Sequence, residues 1–117
     1  MGTYNEREKR FGIDNISELH YMVELDHDSK SCIAANPKGE YANLLVNLSG
    51  FAQPHGVRII DGWSFPVGHR MWFVVVAPDA HKVSAVFYDA KVHLWNRVDV
   101  SPVIPFEEFE LNVLGRV

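Results

Sequence analysis

A chain of 117 residues holds one domain with one core, too short for two. Its 47% hydrophobic, 12% aromatic and 22% charged residues are globular composition and exclude a disordered or fibrous chain. The formal net charge of −4 leaves no basic field for a phosphate backbone, which argues against a nucleic-acid partner. No apolar run approaches the roughly 20 residues that span a bilayer, which argues against a membrane partner. The polar start MGTYNEREKR has no apolar signal core, so a soluble cytoplasmic protein is expected. One cysteine excludes an intrachain disulfide framework and any zinc site built from several thiolates.

Residues 1–18 carry mixed charge and few apolar side chains and read as a flexible lead-in. From Leu19 the segment LHYMVELDH alternates, with Leu19, Tyr21, Val23 and Leu25 on one face and His20, Met22, Glu24 and Asp26 on the other. That period of two predicts a strand with one oily face. After the polar stretch HDSKSCIAAN, Asn36-Pro37 reads as a helix start. Tyr41, Leu44, Leu45, Leu48, Phe51 and Ala52 recur at helical spacing, so the pattern predicts a helix over 37–53, closed by Pro54 and Gly56. Val57–Phe65 and His69–Ala77 are β-rich and are joined by Pro66-Val67-Gly68, which predicts an antiparallel hairpin. The second strand is apolar on both faces and suits a central position.

Asp79 is an N-cap for a second helix to about 92, striped by Ala80, Val83, Val86, Phe87 and Ala90. A last strand is expected near Arg97–Ile104, with Pro102 placing it at a sheet edge. The tail, 106–117, reads equally as a short helix or an extended arm. The order is βαββαβ, the ferredoxin-like split βαβ unit, so the fold class expected is α+β with a domain over 19–105. Both helices supply one oily stripe each and belong on one face of a four-stranded antiparallel sheet. The opposite face, with Met22, Trp72, Val74 and Val76, then needs cover, and a homodimer is expected to supply it.

Two stretches carry a family resemblance: Val23–Cys32 (VELDHDSKSC), a strand ending in His with a Cys in the following loop, and HGVRIIDGWSFPVGHRMWFVVVAPDAHKVSAVF. With the βαββαβ order, the chain resembles the dimeric α/β-barrel superfamily. That superfamily includes muconolactone isomerases, EthD-like proteins and small cofactor-free monooxygenases, and the layout is most similar to an uncharacterised bacterial family within it. His27, Cys32 and His69 are the point matches. The loop departs from that family's Thr-Pro-Glu after the His, having Asp28-Ser29-Lys30. The resemblance implies a dimeric barrel and isomerase-like or monooxygenase-like chemistry on a small organic molecule without an organic cofactor.

Glu24 lies mid-strand on the face away from the helices, where a desolvated carboxylate suits general-base work; Arg70 can share that face and pair with it instead. His27 and Cys32 can form a base–nucleophile pair or two metal ligands, or be a strand-end His and a small buried hydrophobe. His69 opens the third strand. If the first and third strands are antiparallel neighbours, His27 and His69 approach each other as an acid–base pair or, with Asp26 or Asp28, as a metal site. Trp63 and Trp72, on the hairpin, can wall a pocket for a flat ligand or pack an interface. No phosphate-binding glycine loop, HExxH, GxSxG or dinucleotide fingerprint is present, and neither cofactor nor metal is assigned. The leading expectation is an enzyme moving a proton through Glu24, His27 or His69, with Trp63, Trp72, Arg70 and Cys32 around the ligand. The alternatives are a non-catalytic module for a small ligand or metal, and an assembly subunit.

Overall fold

The computed structural model describes residues 19–116, so the expected lead-in at 1–18 lies outside the described residues. Four strands form one antiparallel sheet: β1 (Leu19–Asp26), β2 (Arg58–Phe65), β3 (Arg70–Ala77) and β4 (Arg97–Val103). Their order is β2-β3-β1-β4, the ferredoxin-like arrangement expected of a βαββαβ chain. The doubly apolar β3 is central, and the proline-bearing β4 is an edge, because Pro102 has no N–H to donate to a further strand.

Alternation sorts the side chains. In the β1–β3 register Tyr21 faces Val75, Val23 faces Phe73 and Leu25 faces Met71, and these residues turn toward the helices. Val23, Leu25 and Val75 are fully buried there, with Val83, Val86, Phe87 and Val92 closing over them. Phe73 meets Phe87 with ring centroids 5.9 Å apart, and Gly62 opposite it leaves room that a β-carbon would fill 2.7 Å from the ring. The other face carries Met22, Glu24, Trp72 and Val74, with Trp63 directly across from Trp72.

The expected helix over 37–53 is broken in two. Helices α1 (Glu40–Val46) and α2 (Leu48–Ala52) meet at Asn47, where the backbone leaves helical geometry at φ −105°, ψ 23°. The single stripe inferred from Tyr41 to Ala52 therefore does not bury as one face: Leu48 and Ala52 are buried, while Tyr41 is exposed. Pro37 lies ahead of α1, whose N-cap is Gly39. Asp79 caps α3 (Ala80–Asp89) as expected, its carboxylate accepting from the Lys82 amide at 2.8 Å. The tail forms a short helix, α4 (Phe106–Asn112). No helix among the described residues is long and apolar enough to cross a membrane.

Leu25 sits at the centre of this core with no exposed surface. Leu25→Ala should cost about 2–5 kcal/mol in chemical denaturation. A loss below half a kcal/mol would contradict the packing described.

Candidate functional site

The site grows from the end of the central strand pair. Because β1 and β3 are antiparallel, the end of β1 lies beside the start of β3, and the ladder gains one more rung as the His27 amide donates to the His69 carbonyl at 3.1 Å. His69 takes the left-handed conformation, φ 56°, which costs a non-glycine residue roughly 1–2 kcal/mol. Two bonds hold it there: its amide donates to the Pro66 carbonyl at 3.1 Å, closing the hairpin turn, and its carbonyl receives His27. The rings meet edge to face, centroids 5.3 Å apart.

Cys32 joins them from the loop after β1. Asp28 shapes that loop: its carboxylate accepts from the Ser31 amide at 2.9 Å, and its carbonyl accepts the same amide at 3.2 Å. Hydrogen bonds from Ser31, backbone first and hydroxyl second, hold the Asp28 carboxyl below its ordinary value. A lowered folded value means this contribution is in place at neutral pH and is lost only as pH falls through that value. Asp28 and Ser31 thus shape the loop themselves, with Lys30 exposed to solvent.

One ring nitrogen from each histidine and the Cys32 Sγ all lie within 4.8 Å of one another. Asn96, which the sequence did not single out, decides which nitrogen His27 offers. The Asn96 amide NH2 donates to the Val92 carbonyl at 3.2 Å, which turns its Oδ1 toward His27 Nδ1 at 2.9 Å. An amide oxygen only accepts, so Nδ1 of His27 carries a proton, and in the neutral imidazole Nε2 is then the nitrogen with the lone pair. Among the described residues, that Nε2, Nδ1 of His69 and the indole Nε1 of Trp95 are buried without a hydrogen-bond partner. Trp95 lies beside the His27 ring in a tilted arrangement, centroids 5.0 Å apart.

The three residues line a half-open cavity of about 310 Å³, walled otherwise by Ile33, Ala34, Pro37, Ala42, Val46, Ser64, Pro66, Arg70 and Met71. Of the remaining candidates, Arg70 also lines this cavity, whereas Glu24, Trp63 and Trp72 do not. Glu24 is on the sheet face away from the helices, hydrogen-bonded and ion-paired to the Arg70 guanidinium, whose pKa that carboxylate raises. Trp63 and Trp72 share that face, with the Arg70 guanidinium carbon 5.2 Å from the centroid of Trp72, and neither tryptophan lines the cavity. The structure thus brings together His27, His69 and Cys32, and takes Glu24, Trp63 and Trp72 out of their reach by strand alternation.

No protein-family model matches the chain, and no curated protein matches it in sequence.

The tautomer is directly measurable. Long-range 1H–15N NMR spectra should report His27 protonated on Nδ1. Asn96→Ala should abolish that preference and cost about 1–3 kcal/mol of stability by leaving buried groups unpaired; a mixed tautomer in the parent protein would refute the Asn96 assignment.

Proposed function

We propose that the chain is a metal-binding protein, in which His27 Nε2, His69 Nδ1 and Cys32 Sγ hold one transition-metal ion at the mouth of the cavity. The observation that carries this reading is the pair of buried imidazole nitrogens without partners beside a thiol. Buried polar atoms are nearly always satisfied, and two that lack partners among the described residues, on side chains lining one cavity, call for a ligand. Imidazole and thiolate together favour borderline and soft ions such as zinc or copper. Bonds of about 2.0–2.3 Å at a tetrahedral angle put ligand atoms roughly 3.3–3.8 Å apart, so closing the present spread takes small rotations of side chains. The Asn96–His27 hydrogen bond is the outer-shell contact that orients a ligating histidine and strengthens its donor nitrogen.

Three protein ligands leave a coordination position open, as in catalytic rather than purely structural metal sites. This favours the metal module over a metal-free proton-transfer enzyme using Glu24, because Glu24 is committed to Arg70 on the opposite face. The same two imidazoles remain the acid–base pair if no ion binds.

We further propose that two chains pair through the sheet face bearing Trp63, Trp72 and the Glu24–Arg70 ion pair. Trp63 and Phe65 are 54% and 51% exposed there, aromatic area that is costly to leave in water. The resemblance to dimeric α/β-barrel proteins supports a second copy as the cover.

The metal reading is tested with Co(II), whose spectrum reports ligand type. One ion per chain is expected, with a thiolate charge-transfer band that Cys32→Ser removes. Asn96→Ala should weaken binding about 10–100-fold, and His27→Ala by more. His69→Gly, chosen because glycine accepts the positive φ, should also weaken it by more than Asn96→Ala does, while Glu24→Gln leaves it unchanged. Equal affinity in the parent and in a protein lacking all three ligands would sink the proposal.

Light scattering should give the mass of two chains, and Trp63→Lys the mass of one. A single-chain mass for the parent protein would remove the paired barrel.

A further inference from the structure

The metal reading leaves open what occupies the remaining coordination position, and the cavity wall addresses that question. Beyond the three ligands its lining is dominated by Ile33, Ala34, Pro37, Ala42, Val46 and Met71. The polar exceptions are Ser64 and Arg70, and the Arg70 guanidinium is engaged by Glu24. Such a wall offers a ligand contact area and almost no hydrogen bonds. The volume of about 310 Å³ is at the small end of the range for organic ligands, roughly 300–1,000 Å³.

Charge narrows the class further. A divalent ion bound by two neutral imidazoles and one thiolate keeps a net charge of about +1. An uncompensated charge against an apolar wall is costly, and a bound cation would worsen it. A singly negative head group on the metal closes the balance, and an apolar tail on that head replaces water along the wall.

We propose, resting on the metal reading above, that this cavity takes a small apolar monoanion, an aliphatic carboxylate or thiolate. Its head ligates the ion beside His27, His69 and Cys32, and its tail lies against Ala42, Ile33 and Met71. On binding, a metal–oxygen or metal–sulfur bond forms in place of a metal–water bond, and a thiol also releases its proton to solvent.

The Co(II)-loaded full chain, titrated with acetate through hexanoate and with ethanethiol through hexanethiol, tests this. The visible cobalt spectrum reports the head group and separates the carboxylate from the thiolate arm. Affinity should rise about fourfold for each methylene buried, then level off when the cavity is full. Ala42→Leu, which narrows the cavity without touching a ligand, should leave the unliganded cobalt spectrum intact and bring the levelling-off to a shorter chain. Hexylammonium should not bind.

Equal affinity for acetate and hexanoate, binding of hexylammonium as tight as hexanoate, or hexanoate binding as tight to the metal-free chain would each overturn this inference while the cobalt spectrum still upholds the metal site. A chain that shows no cobalt bands at all would overturn the metal reading and this inference with it.

Discussion

The antiparallel pairing of β1 with β3 is the constraint on which the molecule rests. It sets Val23 and Leu25 against Phe73 and Met71 on the buried face, so the core forms around it. It also brings the last residue after one strand to the first before the other, so that the His27 amide reaches the His69 carbonyl. A slip of one residue would turn the buried set outward and part the two histidines, so packing and site geometry enforce the same register.

The two faces of the sheet then divide the chemistry. The helix side holds the apolar core, and the other side carries Trp63, Trp72 and the charged pair Glu24 and Arg70, which satisfy each other. At the end of β1 the backbone stops pairing, a loop delivers Cys32, and a strained His69 is held by bonds from both sides. Strain of that kind persists where the surroundings over-determine it, and such places are enriched in ligand-binding residues.

Asn96 shows how the scaffold tunes a site at a distance along the chain. It follows the short 3-10 turn Val92–Leu94 and is itself buried, spending its amide NH2 on the Val92 carbonyl. Its remaining oxygen acts on His27, 69 positions away in sequence. One buried amide therefore links the register of the last connection to the protonation pattern of the first strand's end.

Period-two alternation in Leu19–Asp26, the continuous apolar run of β3, the Asp79 cap and the proline in β4 are local properties, and the four-stranded α+β fold was legible from them. The approach of His27 to His69 was legible too, since antiparallel neighbours leave no other place for a strand end. The break at Asn47 was not, because helical spacing records which residues are apolar and not where the backbone turns. The place of Cys32 beside His27 was legible from the loop after β1, and the structure brings it to both histidines. The hydrogen bond from His27 to Asn96 was not legible, since it depends on contacts between segments far apart in the chain. By itself the sequence determined strands, helices and their faces, through periodicity that acts over a few residues. Only the tertiary structure decided which polar atoms remain buried without partners, because that depends on everything packed around them.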